Sequence, residues 1–183
     1  MSCNCQHQCH CQFNNCNHAV QIIGLCNPDT IVFENETDNN NFTEISIPEV
    51  LTVPYQKPDI ETIDKVFVQV KILSKRVIET PSSGGLENEE GTILTGYKLI
   101  VEGVLKQKVV YTALNEVQSV HSAHFNVPFS TFIVLPATAT LEDHYCIESC
   151  VEDVFVKALN PREIFKNVTL FLRAKLLPEN PCA

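Results

Sequence analysis

The chain is short of positive charge. Its 13 Lys and Arg stand against 22 Asp and Glu, a formal net charge of −9 over 183 residues, so it lacks the basic footprint that nucleic acids and anionic membrane surfaces require. Neither is expected as a partner. Long apolar runs are missing as well: stretches such as Phe132 to Leu135 fall far short of the ~20 residues of a membrane-spanning helix. The first residues carry no basic segment followed by an apolar one, so export through a secretory leader is not expected. No Gly-rich phosphate loop, His-Glu-x-x-His pair or serine elbow occurs, and the sequence points to no cofactor and no enzymatic activity.

What the chain has in excess is cysteine. Nine are present, five of them within "MSCNCQHQCHCQFNNC" at the start. Thiols without a leader are expected to stay reduced in a cytoplasm, unless they bind metal or the compartment changes later. Residues 1–18 otherwise consist of His, Asn and Gln with almost no apolar side chain, and such a tract cannot build a core.

Beyond it the pattern has a period of two. "AVQIIGLCNPDTIVF" reads as strand, turn, strand around Asn27, Pro28 and Asp29. Prolines 48, 54 and 58 suit an extended, edge-type segment that ends in a turn near Ile60. Val66, Val68, Val70 and Ile72 share one face, with Gln69 and Lys71 on the other. "PSSGGLENEEG" has the composition of a long loop. Leu99, Val101 and Leu105 alternate with Glu102 and Lys106, and Gly103 marks a candidate bulge. Phe125, Val127 and Phe129 share a face, with Pro128 directing that strand to an edge. Val168, Leu170, Leu172, Ala174 and Leu176 continue the alternation. Helical three-four spacing is nowhere sustained. The expected fold is all-β, an antiparallel β-sandwich with an extended Cys-rich N-terminal arm: arm and linker strands over 1–43, the β-domain over 44–178, and a tail over 179–183.

The succession "KPDIETI", "LIVEGVLKQKVVY", "QSVHSAHFNVPFSTFIVLP" and "VEDVFVKALNPREIFKNVTLFLRAKL" resembles the SPOCS domain of spore coat and exosporium proteins in endospore-forming bacteria. The resemblance runs over residues 44–178, and Lys57-Pro58-Asp59-Ile60 and the block from Val127 to Pro136 are its most specific pieces. Members with a C-terminal LysM module differ from this chain, which carries none. The resemblance implies a sporulation protein of the endospore surface, made in the mother-cell cytoplasm.

Cys3, Cys5, His7, Cys9 and Cys11 occupy alternate positions, which in a strand puts all five on one face about 7 Å apart. Neighbours so placed sit at or beyond the limit for a disulfide, and their Cβ vectors do not converge. A row of thiols can instead pair with another strand or another subunit. With nine thiols, at least one must stay free or bond outside the chain. Oxidation after spore release would reconcile cytoplasmic synthesis with disulfides. Cys3, Cys5, Cys9, Cys11, Cys16, Cys26, Cys146, Cys150 and Cys182 are therefore candidates for intermolecular disulfides in a self-assembling structural protein whose partner is itself, with other spore-envelope proteins as further partners.

Two alternatives stand beside this reading. The tract could be a tail that oxidises adventitiously, or its Cys-x-Cys and His residues could bind zinc or a softer metal. Cys146 and Cys150, about 13 Å apart on one strand face, cannot bond to each other. Each is either a buried core thiol or a partner for an arm cysteine. His121 and His124, three apart, are expected on opposite strand faces, which disfavours a joint role. Asp143 and His144 near Cys146 form no acid-base set by proximity alone.

Overall fold

A computed structural model of the protein describes residues 20–33 and 41–177. Seven strands form two sheets: β1 (Gln21–Ile23), β2 (Phe42–Thr52), β3 (Ile60–Glu87), β4 (Ile93–Ala113), β5 (Val120–Val134), β6 (Tyr145–Asn160) and β7 (Glu163–Leu176). The first sheet has the order β1-β3-β4-β5 and the second β2-β7-β6. All neighbours are antiparallel except β1, which runs parallel to β3 through Gln21↔Lys65 and Ile23↔Phe67. The fold is thus the all-β sandwich expected from the alternation. Among the described residues, the one helical element is a 3-10 turn at Pro28–Thr30, and no helix is long and apolar enough to cross a membrane.

The core is the set of inward-phase side chains. Val66, Val68, Leu99, Val101, Leu105, Val109 and Ile133 of the first sheet meet Leu51, Val154, Ile164, Val168, Leu170 and Leu172 of the second, all buried. Each such side chain contributes about 1.5–3 kcal/mol on burial. Val70, Ile72, Phe125, Val127 and Phe129 pack at the margin of the same cluster. Leu176, expected with Ala174 in the core, is 59% exposed at the end of β7. Two of the three prolines within strands lie on edge strands, as prolines in sheets generally do: Pro48 in β2 and Pro128 in β5. Gly103 pairs with Ile72 where β3 shifts register before Ser74. A Cβ at Gly103 would land on the Phe129 ring, so the bulge and the missing side chain together let that ring lie across β4.

The "KPDIETI" piece is the crossover from the second sheet to the first, and Arg162 in the β6–β7 turn holds it. Its guanidinium donates to the carbonyls of Lys57 (2.7 Å), Val53 (2.8 Å) and Pro54 (2.8 Å) and to Asp59 Oδ1 (3.0 Å). Tyr111 Oη donates to Pro58 O at 3.0 Å. The expected turn near Ile60 therefore sits earlier, closed by Lys57 N donating to Pro54 O, and Ile60 opens β3.

Two expectations are corrected. "PSSGGLENEEG" is a loop only over 88–91: residues 81–87 continue β3, which with β4 forms a two-stranded ribbon reaching past the last β4–β5 pair at Lys98↔Val134. Pro81 is accommodated by the register shift between Glu79 and Ser82, and Gly84 and Gly85 take positive φ. Asn88 Oδ1 closes the tip by accepting from Glu90 N and Thr92 N. Ile31 to Phe33, expected as a strand, pair with none. They cross the outer surface of the second sheet instead.

Replacing Arg162 by Ala leaves the crossover carbonyls without their donor, and should lower unfolding free energy by about 1–3 kcal/mol in denaturant titrations. An unchanged midpoint would show that the crossover does not depend on Arg162.

Candidate assembly site

The segment after β1 wraps from one sheet to the outside of the other. Gly24 makes this possible: its φ is 110°, and a Cβ there would strike the Val68 carbonyl oxygen. Cys26 N then donates to Val151 O of edge strand β6 at 3.0 Å. Asn27 caps the 3-10 turn by accepting from Asp29 N through Oδ1 (3.1 Å). The chain leaves along Ile31, Val32 and Phe33.

This strap is clamped at three points. The first is covalent, a Cys26–Cys150 disulfide with Cα atoms 5.3 Å apart and a sequence separation of 124. The second is Arg173, 1% exposed, which donates to Val32 O (2.6 Å) and, through Nε, to Glu148 Oε2 (2.9 Å), with Nη2 paired to the same carboxylate. Lys175 adds a contact to Glu148 Oε1 at 3.1 Å. The third is aromatic: Phe33 packs edge-on against Phe42 and Phe171, and Arg173 lies 4.8 Å over the Phe33 ring. Between strap and sheet remains a cavity of about 410 Å³, bordered by the disulfide, by Ile31 and Phe42, and by Glu44 and Glu152. Burial, and then the nearby Glu44 charge, push the Glu152 carboxyl up.

The candidate thiols therefore fall into different classes. Cys26 and Cys150, offered from the sequence for bonds between copies, are joined within one chain. The reason is topological: β1 delivers Cys26 to the outer face of β6, where Cys150 is buried beneath the strap. Cys146 is neither a core thiol nor bonded here, but exposed and free on β6. Cys3, Cys5, Cys9, Cys11, Cys16 and Cys182 lie outside the described residues. Strand β5 forms one border of the first sheet and pairs only with β4. Its outer edge meets no strand among the described residues, an arrangement that suits pairing with an added strand.

His121 faces Tyr111, with ring centroids 6.0 Å apart, and its Nε2 contacts Ser119 Oγ at 3.0 Å. His124 lies exposed on the alternate phase of the same strand. Asp143 is occupied by Thr140 N and Oγ1 (3.0 and 2.8 Å) and by Tyr145 Oη, and these bonds hold its carboxyl below the ordinary range. Burial and that carboxylate push Tyr145 up to about 12. Tyr145 points inward while Cys146 points outward, so the strand pleat separates the thiol from this set. Among the described residues, no three of His, Cys, Asp and Glu converge on a metal-sized site.

Sequence reading missed Arg173, Glu148 and the Phe33–Phe42–Phe171 cluster. Outward-phase residues on β7 normally face solvent, and only the unusual pairing of Phe171 with Arg173 on that phase signals a covered face.

The chain matches the family model described as SipL, SPOCS domain, over residues 59–159, which takes in β3, β4, β5 and nearly all of β6. No curated protein matches, and no solved structure matches.

Two outcomes follow from the clamp. Replacing Cys26 and Cys150 by Ser should cost about 2–4 kcal/mol of stability, and reductant should reproduce the loss in the unaltered chain; equal melting with and without reductant would contradict it. Burial alone would raise the Glu148 carboxyl, but bonds from Arg173 and Lys175 overcome it and hold the group below its ordinary value. Its stabilising contribution is complete above the unfolded pKa of about 4.3 and disappears as pH falls through the lowered folded value. Glu148→Gln should therefore flatten the acid side of the stability profile, and parallel profiles for variant and parent would refute this.

Proposed function

The chain belongs to the SPOCS-domain family and is a sporulation-related protein, and from that premise we propose that it is a self-assembling structural subunit of the endospore surface, in an exosporium or coat layer or an appendage. Copies are cross-linked by disulfides through the Cys-rich N-terminal tract. Synthesis takes place in the mother-cell cytoplasm with thiols reduced, and oxidation follows on the assembled array. The role is mechanical rather than catalytic. Its partners are further copies and other proteins of the spore envelope, with neither nucleic acid nor membrane involved.

The observation that carries this reading is the division of the thiols. One cystine staples the fold internally, and removing Cys26 and Cys150 from the nine leaves seven. Seven is again odd, so complete oxidation still demands a bond outside the chain. Four of them, Cys3, Cys5, Cys9 and Cys11, alternate in sequence and are ill-placed to bond with their immediate neighbours in a strand. Cys146 stands exposed on the surface of β6 as an acceptor already in position. An incoming arm that adds to a strand edge gains directional backbone hydrogen bonds, and the disulfides make the contact permanent.

Electron microscopy of the oxidised protein should show rings, sheets or fibres that reductant loosens. The variant with Cys3, Cys5, Cys9 and Cys11 replaced by Ser, keeping Cys26 and Cys150, should lose detergent resistance while retaining the folded domain. Monodisperse monomers under oxidation, or a stoichiometric metal with every arm thiol free, would overturn the reading.

A further inference from the structure

The apolar layer between the sheets is interrupted by one polar group of three. Glu49 on β2 and Lys166 on β7 are directly opposed cross-strand partners. Gln107 reaches them from β4 of the facing sheet. Lys166 is 0% exposed, Gln107 3% and the Glu49 side chain 9%. All three stand on the inward phase, each between buried or partly buried aliphatic residues: Ile47 and Leu51 flank Glu49, Leu105 and Val109 flank Gln107, and Ile164 and Val168 flank Lys166.

Their contacts converge on a single atom. Glu49 Oε1 pairs with Lys166 Nζ and accepts from Gln107 Nε2 at 2.8 Å. The two nitrogens are therefore held together by one carboxylate oxygen. Glu49 Oε2 and Gln107 Oε1 find no hydrogen-bond partner among the described residues, and Lys166 Nζ finds no acceptor besides Glu49. A buried ion pair with unsatisfied remaining atoms costs more than it returns when its members stay charged. Burial lowers the Lys166 ammonium pKa, opposed by its contacts with Glu49.

We propose that this group forms an intramolecular isopeptide bond between Lys166 and Gln107, with Glu49 as the proton relay, covalently joining the two sheets of the sandwich. Lys166 gives one proton to Glu49 and becomes a neutral amine, a nucleophile of the kind that desolvation creates. Nζ attacks Gln107 Cδ while Glu49 hands its proton to Oε1 and stabilises the tetrahedral adduct. Glu49 then takes the extra proton from Nζ and delivers it to Nε2, which departs as ammonia while the Oε1 hydroxyl proton returns to Glu49 and the carbonyl re-forms. The Nζ–Cδ bond replaces the Nε2–Cδ bond, nothing is oxidised or reduced, and Glu49 ends as a neutral acid. One amide then stands where a buried ammonium and a carboxamide stood.

The test is intact-mass spectrometry of the full chain, reduced and unfolded, followed by peptide mapping. The expected result is a chain lighter than its sequence by one ammonia, with a branched peptide joining Gln107 to Lys166 and no tryptic cleavage after Lys166. Glu49→Gln, which keeps shape and removes the relay, should show the full mass its own sequence gives while retaining a native β-sheet circular dichroism spectrum. An unshifted parent mass would overturn the proposal. So would a loss of water that joins Glu49 to Lys166, an ammonia loss that maps to an asparagine, or persistence of the bond in Glu49→Gln.

Discussion

The structure depends on the face-to-face packing of β4 against β7. Both are central strands, and both are buried along nearly their whole inward phase, from Leu99 to Ala113 on one and from Ile164 to Ala174 on the other. With these two strands at the centres of their sheets, the edge strands and the strap lie at the margins. Edge strands β2 and β5 can accept a proline each, and the crossover at residues 53–60 must turn tightly under Arg162. The strap must travel around β6 to reach the far face.

The strap shows how local chemistry turns topology into a clamp. A three-residue parallel pairing with β3 would be marginal alone, and its continuation across β6 holds only because three different interactions act on ten residues. The disulfide restricts the unfolded chain, the Arg173 guanidinium donates to the Val32 carbonyl, and Phe33 packs the end of the strap against Phe42 and Phe171. The same clamp sets the chemistry of the remaining thiols. By withdrawing Cys26 and Cys150 it leaves an odd set, of which Cys146 is presented on the outer surface.

Much of this was legible in the sequence, because a period of two is a direct statement about which face is buried. Val66 and Val68, Leu99 through Leu105, and Val168 through Ala174 all lie inward as their spacing requires, and the prolines at 48 and 128 mark edges. The failures have physical causes. Pro81, Gly84 and Gly85 looked like loop residues because composition does not reveal that register shifts can absorb them within a ribbon. Ile31 to Phe33 looked like a strand because a β-branched run suits any extended, half-covered segment, paired or not. Cys26 and Cys150 lie 124 residues apart, and no local spacing encodes such a meeting. Glu49, Gln107 and Lys166 did leave a signal, each a polar residue on an otherwise apolar phase, but the three strands had first to be brought together before it could be read.

The central claim is that the arm's thiols bond to other copies while Cys26 and Cys150 bond at home. The direct measurement is disulfide mapping after heavy-nitrogen-labelled and unlabelled protein are mixed under reduction and then oxidised together. Peptides holding Cys3, Cys5, Cys9 or Cys11 should appear in mixed-label pairs, and the Cys26–Cys150 pair should carry one label throughout. Single-label pairs for every arm cysteine would contradict the account.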